Sequence, residues 1–348
     1  MTLLLVECPV CRGEVGELIV DGVPRPDQHI AKYGDIYDGA STSTWRICVS
    51  CGFVHQNPRP SSASLSAFYE SGSYHTEAPA WYEEDGGRRY LEFAQWYYGE
   101  KVAYAIEASG ITTGRVFDIG SGFGGALHVF RERGWSPSGS EPDPQLWRFG
   151  RDVVGLGDAV SNSLLTPSDD ETHDVDVVFS NHVFEHVDDL HGVVQAAAAM
   201  LRPGGVMVTI VPTYRSNRSF QSLQWMNASH YSLFSDAALS QLLVRHGFEP
   251  LRHTYRGWHK EIDDLWHVAR YVGGSGDPAP YFESPTEVSH YLGTVNPRRT
   301  RVFWPLFSHY PQRVALWRGT TKAARLVRSE PRKLPSELRA FARRHGYQ

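Results

Sequence analysis

Cysteine is scarce, with four in 348 residues, and no apolar run approaches the roughly 20 residues that cross a bilayer. The apolar start, Leu3 to Val6, is too short for a leader core and has no basic residue before it, so the chain reads as cytoplasmic. No cysteine stands alone: Cys8 and Cys11 form one Cys-x-x-Cys pair, Cys48 and Cys51 the other. In a reducing compartment such pairs serve metal rather than disulfides, and each can wrap one edge of a tetrahedral ion. The pattern predicts a structural zinc site with no open position for chemistry. The 36 residues between the pairs exceed the usual spacing, and Lys32 to Ser43 within them reads as a loop or a substrate-facing flap.

Acid is scarce in one place. Residues 297–348 carry thirteen Lys/Arg and two Asp/Glu, which leaves the rest of the chain near −16 beneath a net charge of −5. Arg313 to Arg328 reads as a helix with Val314, Trp317, Thr321, Ala324 and Val327 on one side and Arg318, Lys322 and Arg325 on another. A basic amphipathic helix of this kind suits either packing on an acidic body or peripheral attachment to an anionic membrane.

Apolar material is ample, at 41% hydrophobic and 12% aromatic residues, enough for a full core. Four segments are expected: a zinc-binding module at 1–60, an aromatic and helical linker at 61–113, a core at 114–275 and a basic extension at 276–348. In the linker, Phe68, Tyr69, Tyr74, Trp81, Tyr82 and Tyr90, with His75, follow neither helical nor alternating spacing throughout and suit a lid or a packed connection. Arg88 to Ser109 then reads as a helix, with Leu91, Ala94, Tyr98, Val102, Ala105 and Ile106 on one stripe.

The core is organised around Val116 to Leu127, VFDIGSGFGGAL. Val116 and Phe117 end a buried strand, Gly120, Ser121 and Gly122 make a tight turn, and a helix runs from Ala126 to Arg133. Such a turn lets a ligand approach the backbone while the helix start offers free N–H groups. Asp118 at the strand tip would repel a pyrophosphate but can take an ammonium group. Glu141 follows Gly122 by nineteen residues, where an acid can accept both hydroxyls of a ribose. An acid for an amine and an acid for a ribose point to S-adenosylmethionine.

Residues of about 114 to 272 resemble a class I S-adenosylmethionine-dependent methyltransferase. VFDIGSGFG is similar to its first motif, GSEPDP to its second, DVDVVFSNHVFEHVDDL to its fourth and LRPGGVMVTIVP to the segment that follows. The resemblance implies an α/β, Rossmann-like, doubly wound sheet of seven strands, to which the chain adds the N-terminal zinc-binding domain and the basic tail. It also implies that Asn162, near the third strand's tip, bonds the adenine amine. Asn181, ending the strand that starts at Val175, joins the cofactor contacts. Helices are expected at Pro144 to Val154, Asp188 to Leu201 and Asp236 to His246, and late strands at Pro250 to His259 and Ile262 to Tyr271.

His182, Glu185 and His186 follow the fourth strand's tip, on the side where ligands bind in open α/β sheets. His230 to Ser235, HYSLFS, resembles a segment of zinc-containing sugar C-methyltransferases whose His lies at the reaction centre. Those enzymes carry a Tyr and a Glu just before it, where this chain has Asn227, Ala228 and Ser229. His230 is the first choice of general base and His182 the second, because a neutral imidazole can take the proton of the acceptor. The expected acceptor is a carbohydrate hydroxyl in a sugar or glycoconjugate. A nucleotide-linked keto sugar methylated on carbon is the alternative. RNA methylation fits the tail, but the strand end Ser-Asn-His-Val lacks Asn/Asp-Pro-Pro-Tyr/Phe and the acidic body repels nucleic acid. A non-catalytic binding protein is disfavoured by intact Asp118, Gly120, Gly122 and Glu141.

Overall fold

The computed structural model describes residues 3–14, 16–24, 35–37, 39–40, 42–72, 82–166, 172, 174–215, 226, 229–258 and 262–293. The chain divides into two compact units, Met1–Thr294 and Val295–Gln348, and the second, with the expected basic helix, lies outside the described residues. So do Tyr74, His75, Trp81, Asn227, Ala228 and, within the anticipated flap, residues 32–34, 38 and 41.

In chain order the first unit opens with strands β1 (Glu17–Pro24), β2 (Thr42–Ile47) and β3 (Val54–Gln56). Helices α1 (Ser62–Glu70) and α2 (Arg88–Ser109) follow. The alternating part runs β4 (Arg115–Ile119), α3 (Gly125–Glu132), β5 (Ser136–Ser140), α4 (Pro144–Asp152), β6 (Val160–Ser161), β7 (Val175–Asn181), α5 (Leu190–Met200) and β8 (Leu201–Pro212). The unit closes with β9 (Ser232–Leu233), α6 (Asp236–Val244), β10 (Phe248–Trp258), β11 (Ile262–Tyr271) and α7 (Pro285–Gly293).

Seven strands make the main sheet in the order β10-β11-β8-β7-β4-β5-β6. β4 pairs parallel with β5 and β7, and β7 parallel with β8, while β11 runs antiparallel to both neighbours. The expected seven-stranded doubly wound sheet is therefore present. Strand alternation builds its two faces. Val206, Val208 and Ile210 join α2 and α3 on one side; Met207 and Val211 join α5 and α6 on the other.

Helix ends follow from local chemistry. Asp143 caps α4 by accepting from the amides of Gln145 (2.8 Å) and Leu146 (3.3 Å), with Pro144 pre-set in the first turn. Gly110 closes α2 at φ 71°, where a side chain would be strained. Two helices were not expected, α1 and α7. Within the aromatic linker, Ser61 caps α1, and Leu65 and Phe68 turn inward together at helical spacing. Reading the aromatics as one run to Tyr90 hid that short period.

The N-terminal segment is a four-stranded sheet in the order β1-β2-β3-β9. Its fourth strand comes from much later in the chain: Val54 faces Leu233 and His55 faces Ser232. The Cys pairs also sit in the shared core, where Cys8, Cys48, Cys51 and Phe53 pack with Phe184, Leu190, Phe234 and Leu239. Arg59 reaches Asp188 at 2.6 Å. Much of the stretch between the pairs is a hairpin, β1 with β2, rather than only a loop.

Candidate functional site

The Cys module is one turn used twice. The amide of Arg12 donates to the Cys8 carbonyl at 2.9 Å, and that of Gly52 to the Cys48 carbonyl at 2.9 Å. The amide of Cys8 returns to Gly13 and that of Cys48 to Phe53, and Arg12 and Gly52 take positive φ of 59° and 79°. Both turns aim their thiols inward: Cys8 and Cys51 sulfurs lie 3.7 Å apart, Cys11 and Cys48 sulfurs 3.4 Å. All four lie within 4.8 Å of one another. The thiols cannot all ionise unaided. Hydrogen bonding to Cys11 pushes Cys48 well down and Cys8 and Cys51 well up. A divalent cation would resolve this crowding, and the donor set fits zinc.

The second group of residues surrounds the tips of β4, β5 and β6. Gly120 and Gly122 take φ of 62° and 56°, and a Cβ on Gly120 would meet Val183 at 2.8 Å, while one on Gly122 would face open space. Asp118 is buried, and no donor among the described residues bonds its carboxyl. Burial, then the neighbouring Glu141 charge, drives its pKa well above the ordinary carboxylate range. An ammonium at that spot would restore the carboxylate. Glu141 accepts from the amides of Gly122 (2.7 Å) and Asp143 (2.8 Å), yet burial outweighs these bonds and raises it to about 7. Ser121 is buried and its amide donates to the Ser140 carbonyl at 2.9 Å. Asn162 spends its amide hydrogens on the carbonyls of Glu141 (2.9 Å) and Pro142 (3.0 Å), leaving the side-chain oxygen as the acceptor an adenine amine needs. The cradle fits the cofactor anticipated for it.

A third group gathers beyond β7. His182 takes φ 57° and is held from both ring nitrogens, with Nε2 3.1 Å from Asp264 and Nδ1 3.2 Å from Glu185. Burial opposes its charge, but the Asp264 charge, the bond to Asp264 and the Glu185 carboxylate beside Nδ1 prevail and raise it to about 9. Asn181, expected among the cofactor contacts, accepts from Lys101 Nζ at 2.6 Å through its side-chain oxygen. Lys101 is 3% exposed, sits 4.0 Å over the Tyr97 ring, and falls to about 8 through burial, against the pull of Asp264 and Glu185. Sequence reasoning missed Lys101 and Asp264. Their signal was a lysine among the inward positions of an apolar helix stripe and an acid inside a strand.

His230, 6% exposed, enters this group from the loop before β9, next to His186, with ring centroids 4.8 Å apart. The Tyr231 amide donates to the Glu185 carbonyl at 2.7 Å, and the Gln56 amide of β3 donates to the Tyr231 carbonyl at 2.8 Å. One backbone ladder thus runs from the Cys module through β9 to the loop after β7. The lid candidates Tyr82 and Tyr90 pack with Phe123 and Phe149 beside the glycine turn, with Tyr82–Tyr90 centroids 4.7 Å apart.

Residues 90–253 match a family model described as a methyltransferase domain. The chain is 27% identical over 154 residues to the C-methyltransferase NovU of Streptomyces niveus, covering 42% of this chain and 36% of that relative, so it spans about a third of the relative's length. Among solved structures, the 1,6-didemethyltoxoflavin-N1-methyltransferase of Burkholderia thailandensis is similar at 18% identity and TM-score 0.45, over 67% of this chain and 97% of that one. A geranyl diphosphate C-methyltransferase of Streptomyces coelicolor is similar at 15% identity and TM-score 0.41, over 50% and 76%. No helix among the described residues is long and apolar enough to cross a membrane. Residues 90–253, which hold the glycine turn and the two buried acids, are a methyltransferase domain of the class I, S-adenosylmethionine-dependent type.

Proposed function

We propose that the chain transfers a methyl group from S-adenosylmethionine to a carbon beside a carbonyl, in a polar acceptor such as a nucleotide-linked keto sugar. The observation that carries this reading is the position of Glu185. The residues before His230 lack the acid that the sugar C-methyltransferases have there, but Glu185 arrives from the loop after β7, with its carboxylate within 4.8 Å of the His230 ring nitrogen. A buried acid beside an imidazole makes it a stronger base, which a C–H proton requires more than a hydroxyl does. The similarity to a C-methyltransferase supports the same preference. This reverses the order reached from sequence, which placed carbohydrate O-methylation first.

When bound, the cofactor supplies an electrophilic methyl on a sulfonium. Asp118 would hold the ammonium, Glu141 the ribose and Asn162 the adenine amine, and the backbone at Gly120 and Gly122 would admit the rest. His230 would take the proton from the acceptor carbon, and the freed pair would move toward the carbonyl oxygen, leaving a nucleophilic carbon for the methyl that the bound cofactor would supply. His182 is a poor alternative base because both its nitrogens are engaged by Asp264 and Glu185. Zinc at Cys8, Cys11, Cys48 and Cys51 would serve structure, by fixing the turns that feed β3.

The test is incubation of the full chain with methyl-labelled cofactor and a panel of nucleotide-linked keto sugars, glycosides and RNA, followed by NMR of the product. A carbon-bound methyl is expected. A methoxy signal would return the reading to O-methylation, and label in RNA would overturn the acceptor class. For the basic segment 297–348, peripheral attachment to anionic membranes requires salt-sensitive sedimentation with anionic vesicles that disappears when the segment is removed.

A further inference from the structure

We propose that Glu185, His186 and His230 form a second metal site, which takes a divalent transition-metal ion through two imidazole nitrogens and one carboxylate oxygen. One ligand atom from each residue lies within 4.8 Å of the other two. At the roughly 2.0–2.2 Å ligand distances of zinc, an ion would draw such a set together by about an ångström.

The surroundings favour an ion. Glu185 is 1% exposed, and neither carboxylate oxygen makes a hydrogen bond. Its approach to His182 Nδ1 at 3.2 Å is an ion pair out of line for one. Buried carboxylate oxygens without a hydrogen bond call for a cation or a catalytic role. The side chain of His186 is 13% exposed, and its Nε2 lies 3.9 Å from the Glu185 carboxylate. Its Nδ1 must carry the proton, because it contacts the Ser229 carbonyl at 2.6 Å and a carbonyl only accepts. The Nε2 lone pair is thereby turned toward Glu185, in the arrangement by which a backbone carbonyl orients a ligating imidazole. The scaffold is also fixed: Glu185 and His186 share the turn Phe184–His186, and the Tyr231 amide bonds the Glu185 carbonyl at 2.7 Å, tying His230's loop to it.

Two imidazoles and a carboxylate select zinc, cobalt(II) or nickel over magnesium and calcium, which prefer all-oxygen shells. This separates the site chemically from the four thiolates. An ion bound here occupies the His230 lone pair, so metal occupancy and proton abstraction exclude each other. That half of the inference rests on His230 being the base. The methyl-transfer step would then be shut off by free transition metal.

The test loads the four-thiolate cluster of the full-length chain with zinc and titrates cobalt(II) into it. One further equivalent with weak visible ligand-field bands, and without the intense thiolate-to-cobalt absorption, is expected. It should vanish in His186→Ala and in Glu185→Gln, both still binding S-adenosylhomocysteine by calorimetry and retaining their zinc. Absence of the extra equivalent, or its persistence in both variants, overturns the site. In the labelled-methyl assay, saturating cobalt should lower turnover at least tenfold, reversibly with chelator. Cobalt bound with turnover unchanged would overturn the base role of His230 and leave the site standing.

Discussion

The cofactor side and the acceptor side of the sheet are built in opposite ways. At the tips of β4, β5 and β6, Asp118, the glycine turn, Glu141 and Asn162 fall within 45 residues and contact one another through backbone, as in Glu141 with the Gly122 and Asp143 amides. Beyond β7, Lys101, the His182–Glu185 loop, His230 and Asp264 come from four separate stretches and meet through side chains and one ladder of backbone bonds. The first side depends on local turns, the second on the whole fold. Damage far away should therefore reach the acceptor side and spare the cofactor.

The sharpest way to separate the two sides is His230→Ala. Turnover should fall by roughly a hundred- to ten-thousandfold, while calorimetry returns an unchanged affinity for S-adenosylhomocysteine. A joint loss of both would show that the sides are not independent.

Next comes Cys48→Ser, which strikes the module but acts at a distance. β3 carries the disturbance to Tyr231 and so to the loop holding His230. Turnover well below the melting temperature should drop by about ten- to a hundredfold, the scale of a lost outer partner at a metal site. Cofactor affinity should move by less than about threefold, and metal analysis should show the loss of one zinc per chain. Equal turnover in zinc-free and zinc-loaded protein would break the link between module and acceptor side.

On the cofactor side, Glu141→Ala would remove the hydrogen bonds proposed for the ribose. Calorimetry should give a ten- to hundredfold weaker Kd, from roughly 1.5–3 kcal/mol for bonds to a charged group. The melting curve reports whether the turn at Gly122 survives.

The smallest effect is a pH profile. Burial raises Glu141 to about 7, so the free protein holds this carboxyl protonated below that pH and ionised above it. Ribose hydroxyls donate to the ionised form, so affinity for S-adenosylhomocysteine should tighten, roughly five- to tenfold, between pH 6 and pH 8. Glu141→Gln should flatten this rise. A profile that weakens with pH would reverse the assignment of the ribose to Glu141.

This contrast also explains what could be read from the chain alone. The stripe from Leu91 to Ile106 gave α2 its bounds, because every third or fourth residue is apolar and the helix ends at a glycine in the left-handed region. The expected Ile262 to Tyr271 is β11 in full, and the glycine turn is where its residues placed it. β9 could not be read: a two-residue strand has no period, and its partner lies far earlier in the chain. Arg12 hid the symmetry of the two Cys turns, since it bears a positive φ that only Gly52 advertises. Lys101 falls at an inward position of that stripe, but helical spacing cannot tell that Asn181 and a tyrosine ring will enclose its ammonium.

The pairing of β3 with β9 also sets a timetable for assembly. A chain emerging from the ribosome produces residues 54–56 early, but their partner, residues 232–233, appears only after most of the main sheet has been made. At roughly 5–20 residues per second that delay is on the order of ten seconds or more. During it the N-terminal sheet has an open edge where Val54 and His55 will later be covered, an edge that invites wrong pairing. Early capture of a cation by the four thiols would hold that half-finished edge in shape until its last strand arrives.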